Sequence, residues 1–175
     1  MSANSTTDDK LDLTDPAELA ARLMACPSVT PATGEVFAQL ETMLVALGFD
    51  VERFVAGEMP DGPVENLLAV RSRGEGRHFA FAGHLDVVPP GEGWHSDAFI
   101  PEIRGDLLYG RGAVDMKGSI AAFVSALSAL PDHQGTISLI ITGDEEGPAV
   151  YGTLALMDRM AARGITPDQI GRAHV

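Results

Sequence analysis

From Asp15 onward the chain alternates between stretches whose apolar residues recur every three to four positions and shorter stretches where they alternate or run unbroken. Leu19, Leu23 and Met24 form a helical stripe behind an Asp15–Pro16 start, a pairing suited to a helix N-terminus. A second helix is expected from Gly34 to Leu47, with Phe37, Leu40, Leu44 and Leu47 on one face and Gly48 as its stop. Phe49 to Val55 alternates weakly and reads as a strand, and Ala56 to Pro63 as a Gly/Pro loop. Asn66–Arg71 and His78–Ala82 read as strands split by a polar turn over Ser72–Arg77. A long irregular segment follows from Gly83 to Gly112, with short extended pieces at Ile100–Ile103 and Leu107–Tyr109. Segments of that length are usually functional or disordered; the glycines, prolines, Trp94 and Tyr109 here favour order. Ser119–Leu130 reads as a helix, Thr136–Thr142 as a buried strand and Thr153–Arg163 as a helix. Helix and strand in alternation predict an α/β fold, a sheet with helices on its faces.

Composition narrows the function classes. With 175 residues the chain is long enough for one domain with a sizeable core. A net charge of −13 repels phosphate backbones and argues against nucleic acid as a partner. The single cysteine, Cys26, excludes an internal disulfide and reads as a small buried hydrophobe. Met1 to Lys10 is polar, lacks the basic start and apolar run of a signal peptide, and is expected to extend to about residue 13 as a disordered tail. No apolar run is long enough to span a bilayer. The expectation is a cytoplasmic protein with no membrane partner.

Three clusters lie just past expected strand ends, where open α/β sheets place their sites. In Gly83-His84-Leu85-Asp86, a His with an Asp two residues on suits a metal ligand backed by a carboxylate, although such triplets are commonly surface polar groups. Tyr109 to Ser119 superficially resembles a phosphate loop, but Met116 precedes Lys117 and Gly118 follows it, the wrong order for one. Its sole carboxylate, Asp115, either caps the next helix or binds a ligand. Asp144-Glu145-Glu146 is either a solvated turn or a pair of carboxylates that divide metal binding from proton transfer. Together, one His, one Asp and one Glu at strand ends make an N/O ligand set suited to zinc, cobalt or manganese.

These motifs, Gly83-His84-Leu85-Asp86-Val87-Val88-Pro89, then Gly110-Arg111-Gly112 through Asp115-Met116-Lys117-Gly118, then Asp144-Glu145-Glu146-Gly147, resemble the zinc amidohydrolase family of aminoacylases, acetylornithine deacetylase and related carboxypeptidases. The likeness runs from about residue 16 to 169. Pro27-Ser28-Val29-Thr30-Pro31 and Glu145-Glu146-Gly147-Pro148-Ala149 resemble the branch that removes succinyl groups from diaminopimelate. The resemblance implies a zinc-peptidase-like catalytic domain with a mixed sheet and helices on both faces, and two divalent ions, zinc first. It makes His84, Asp115 and Glu146 the metal ligands, with Asp115 bridging across a cis Asp115–Met116 bond and Asp86 orienting His84. Glu145 would be the general base and then the acid in hydrolysis of a small N-acyl amino acid. Acetylornithine deacetylase or dipeptidase activity is the alternative within the family. A non-catalytic metal-binding or interaction domain is the alternative outside it.

The family pattern also calls for a further acidic ligand, a distant closing His and an inserted lid or dimerisation domain, none of which this sequence contains. The chain is therefore expected to be the N-terminal part of a catalytic domain, over residues 14–169, of a homodimeric enzyme, and inactive by itself. Ile170-Gly171-Arg172-Ala173-His174-Val175 departs from the pattern and matches one reading frame of a sequencing-library adapter, ATC-GGA-AGA-GCA-CAC-GTC. Residues 170–175 are expected to be a non-native tail in which His174 has no metal role. His78, His95 and His133 match no family ligand.

Overall fold

A computed structural model of the chain describes residues 11–130 and 132–172. Helix α1 (Pro16–Met24) starts where expected, with the Asp15 carboxylate accepting from the Ala17 and Glu18 N–H groups at 2.8 and 3.3 Å. Helix α2 (Glu35–Ala46) is followed by Gly48, whose φ of 80° supplies the left-handed residue that ends a helix. The remaining elements are β1 (Asp50–Ala56), β2 (Val64–Arg73), β3 (His78–His84), β4 (Glu102–Arg104), β5 (Leu107–Tyr109), α3 (Lys117–Ser128), β6 (Gly135–Thr142), α4 (Thr153–Ala162) and β7 (Gln169–Arg172).

Five strands form one sheet in the order β1-β2-β6-β3-β7, while β4 and β5 make a separate hairpin. Pairing is antiparallel from β1 to β2 and β2 to β6, and parallel from β6 to β3 and β3 to β7. The sheet is therefore mixed. Strand alternation sends Leu67, Ala69, Phe81, Leu139 and Ile141 to one face, where they meet the apolar stripes of α1, α2 and α3 in the main core. Phe81 stacks on Phe123 of α3 with ring centroids 4.4 Å apart. Leu68 and Ile140 point the other way and are covered by Leu156 and Met160 of α4. The expected mixed sheet with helices on both faces is the fold observed.

Parallel register does the positioning. His84, the last residue of β3, pairs with Thr142, the last of β6. Asn66 of β2 lies on the other side of Thr142. The segments carrying Asp86 and Asp144–Glu146 thus leave the sheet side by side.

Element limits differ from expectation at several places: β3 runs on through Gly83 and His84, expected in the irregular segment, β2 spans Val64–Arg73, and α3 begins at Lys117. Ile100 and Pro101 stay outside β4, which begins at Glu102; Pro101 has no N–H to give to a ladder. Residues 11–13, expected in the tail, include Leu11 and Leu13 packed against the main core, with the Ser128 hydroxyl donating to the Leu13 carbonyl at 3.0 Å. Ile170–Arg172 of the expected non-native tail form part of β7, where Ile170 is exposed. The rest of both expected tails, residues 1–10 and 173–175 with His174, lies outside the described residues. No helix among the described residues is long and apolar enough to cross a membrane.

Fully buried Leu139 lies at the centre of the main core. Leu139→Ala is expected to lower stability by about 2–5 kcal/mol in urea unfolding, and Val55→Ala, exposed on β1, by less than about 0.5 kcal/mol. Equal effects would contradict this packing.

Candidate metal centre

Three loops converge at the C-terminal ends of β3 and β6. His84 is fully buried, and its Nδ1 lies 2.9 Å from the Asp86 backbone carbonyl and 3.4 Å from the Asp86 carboxylate. With Nδ1–H donated to that carbonyl, Nε2 is the atom left for a ligand. Nε2 stands 3.1 Å from Asp115 Oδ1 and 3.9 Å from Glu145 Oε2.

Asp115 lies in the turn between β5 and α3, after a bend in which Gly112 has a φ of 84°. The residue at the helix N-cap is Met116, and no side-chain cap bond forms. The capping alternative for Asp115 is therefore excluded; its carboxylate is half exposed and turned toward His84. The Asp115–Met116 peptide bond is cis. Met116 is buried behind the site, and the His84 N–H donates to its Sδ at 3.4 Å.

The acidic run is not a uniformly solvated turn. Asp144 points inward, accepting from the Ala149 N–H at 3.0 Å and the Thr30 hydroxyl at 3.3 Å. Glu145 and Glu146 turn their backbone N–H groups onto the two oxygens of buried Asp86, at 3.1 and 2.8 Å. Asp86 was expected to orient His84. It lies close enough for that, and it also holds the backbone of both glutamates. Periodicity and motif spacing carry no signal for such a carboxylate-to-backbone bond.

One ligand atom from each of His84, Asp115 and Glu146 falls within 4.8 Å of the others. Ligands about 2.0–2.2 Å from one tetrahedral ion lie roughly 3.3–3.6 Å apart, and the 3.1 Å between His84 Nε2 and Asp115 Oδ1 is a few tenths of an ångström short of that spacing. Glu146 lies within the same 4.8 Å cluster. The donor chemistry and spacing fit divalent metal. Glu145 joins the cluster from the same loop, and its carboxylate also contacts the Arg172 guanidinium. The other histidines lie elsewhere: His78 is hydrogen-bonded to Ser138, His133 accepts from Arg71, and His95 is exposed beside Trp94.

Electrostatics follow from burial and crowding. Burial alone disfavours a charged His84, but the Asp86 carboxylate and carbonyl, with Glu145, outweigh it and push the imidazole up to about 9. Burial pushes Asp86 up, yet His84 and the N–H groups of Glu146 and Glu145 more than offset it, leaving this carboxyl below its ordinary value. Glu146 is raised, first by burial and then by the Asp115 charge; Asp144 is raised chiefly by burial. Burial pushes the Lys117 ammonium down to about 8.

Comparison with known proteins identifies the family. Residues 80–175 match the peptidase family M20/M25/M40. The chain is 73% identical over 157 residues to the succinyl-diaminopimelate desuccinylase of Sphingopyxis alaskensis, an alignment covering 89% of this chain and 41% of that protein. It is 52% identical over 154 residues to the protein of that name from Zymomonas mobilis, covering 88% and 41%. Among solved structures, human carnosine dipeptidase 1 superposes with a TM-score of 0.79 at 25% identity, covering 92% of this chain and 38% of that one. An M20 family metallo-carboxypeptidase from Sulfolobus solfataricus superposes with a TM-score of 0.76 at 21% identity, over 94% and 38%, a likeness of fold. The chain belongs to the peptidase family M20/M25/M40, a family of metal-dependent hydrolases. It spans about 41% of the length of the curated relatives it matches.

The raised His84 value gives a test that needs no metal. Its folded-state pKa of about 9 lies above the ordinary 6.5, so its contribution to stability is complete below pH 6.5 and is lost as pH rises through about 9. The melting-temperature difference between metal-free wild type and His84→Gln is expected to shrink across that window. Parallel profiles would contradict the arrangement.

Proposed function

We propose that this chain is the part of a succinyl-diaminopimelate desuccinylase that carries the general base and the first metal ligands of a two-metal site. The reading is carried by the convergence of His84, Asp115 and Glu146 within 4.8 Å, in a chain up to 73% identical to desuccinylases. The substrate would be N-succinyl-LL-2,6-diaminopimelate and the products succinate and LL-2,6-diaminopimelate.

His84 would hold one ion through Nε2, Glu146 the other, and Asp115 both. Divalent ions bound there, zinc foremost, supply polarisation of the amide carbonyl and a water that ionises near neutral pH. The remaining work belongs to the chain. Glu145, held beside the cluster by the hydrogen bond from its N–H to Asp86, takes the proton of the attacking water and returns it to the leaving amine nitrogen. Asp86 keeps the His84 ring and the Glu145–Glu146 backbone in one geometry, so base and ligand cannot drift apart.

Zinc must displace the His84 proton, so affinity is expected to rise by about tenfold per pH unit until pH nears 9 and then level off. A pH-independent affinity would contradict His84 as a ligand. Activity is tested by joining residues 1–169 to the downstream segment of the Sphingopyxis relative. Zinc-dependent release of succinate is expected, and Glu145→Gln should lower kcat by about 10²–10⁴-fold while zinc content holds. Preferred turnover of N-acetylornithine or a dipeptide would favour those sister activities. Zinc uptake without turnover of any of these substrates would favour a binding domain.

A further inference from the structure

The Pro27-Ser28-Val29-Thr30-Pro31 motif takes no part in the chemistry, and neither does fully buried Lys117. Their hydrogen bonds connect them. Lys117 follows the Asp115 turn, runs beneath Gly112, where an added Cβ would stand 3.0 Å from its Cδ, and ends at the C-terminus of α1. There its ammonium donates to the Leu23 and Cys26 carbonyls at 2.8 and 3.0 Å. A helix end leaves such carbonyls without partners and favours a cation. The Asp115 turn is thereby tied to the end of α1.

The chain leaving α1 then meets the other two ligand segments in turn. The Ser28 hydroxyl donates to the Leu85 carbonyl at 2.8 Å, and the Ser28 carbonyl accepts from the Val87 N–H at 3.0 Å, on either side of Asp86. The Thr30 N–H donates to the Val87 carbonyl at 3.1 Å. Two contacts reach the acidic loop: the Thr30 hydroxyl to Asp144 at 3.3 Å and the Ala32 N–H to the Gly143 carbonyl at 2.7 Å. One ten-residue stretch, 23–32, thus bonds to the segments bearing Asp115, His84 and Glu146.

We propose that residues 23–32 act as a strap that sets the register of the three ligand-bearing segments, with Lys117 and Thr30 as its positioning residues. Neither side chain bonds to a proposed ligand side chain: Lys117 acts through backbone carbonyls, and the Thr30 hydroxyl through the Asp144 and Asp86 carboxylates beside the ligands. The proposal rests on the metal-site reading above and deepens it.

Cobalt binding to the fusion of residues 1–169 with the downstream segment of the Sphingopyxis relative tests it, read as affinity by competition with a chromophoric chelator and as the visible d–d spectrum. Lys117→Met and Thr30→Val are expected to weaken cobalt binding by roughly 10–100-fold and to change the band shape, with far-UV circular dichroism as in the wild type. Thr30→Ser, which keeps the hydroxyl, is expected to restore both readouts. Folded variants with wild-type affinity and spectrum would overturn the strap. If Lys117→Met fails to fold, the Thr30 pair decides by the same criteria. Absence of cobalt binding by the parent fusion, with no substitution in residues 1–169, would instead overturn the metal-site reading and the strap with it.

Discussion

Parallel pairing of β3 with β6 brings His84 level with Thr142 at the same edge of the sheet, so the loops leaving both strands share one small volume. A shift of one residue would turn His84 to the opposite face. The register is held by the side chains that alternate into two cores, Phe81, Leu139 and Ile141 on one face and Ile140 with α4 on the other. Hydrophobic burial far from the chemistry therefore fixes where the imidazole stands. Buried Asp86 completes the junction by accepting from the N–H groups of Glu145 and Glu146 across the gap between the two strand ends.

That junction concentrates negative charge. Asp86, Asp115, Glu145 and Glu146 surround a single imidazole, and burial raises the cost of each unpaired carboxylate. The chain meets this cost in two ways. Asp86 and Asp144 spend their oxygens on backbone N–H groups and neighbouring side chains, while Asp115 and Glu146 keep an open side on which a cation can sit. This division between carboxylates that hold the backbone and carboxylates that face the centre sets the segment apart from a uniformly solvated turn.

Much of the fold was legible because its elements are amphipathic at their own periods: α2, β6 and α4 each fall within a residue or two of the limits read from spacing, and α1 starts where it was read. The convergence of His84, Asp115 and Glu146 was legible through three ordered motifs, although each motif alone left a plainer reading open. What local pattern could not reveal were bonds between residues distant in the chain. Nothing in the local pattern marks Lys117 for burial, yet it is fully buried, with acceptors more than ninety residues away. Asp144 looks equivalent to its two neighbours and is the one turned inward. The start of β4 was misplaced because Ile100 is apolar, whereas Pro101 beside it cannot donate to a ladder.

The central claim is that His84, Asp115 and Glu146 are ligands of bound metal. Anomalous diffraction at the zinc edge from zinc-soaked crystals tests it most directly. The account predicts a peak about 2.0–2.2 Å from both His84 Nε2 and an Asp115 oxygen, with a second peak between Asp115 and Glu146. Zinc located elsewhere, with His84 Nε2 still hydrogen-bonded to Asp115, would contradict it.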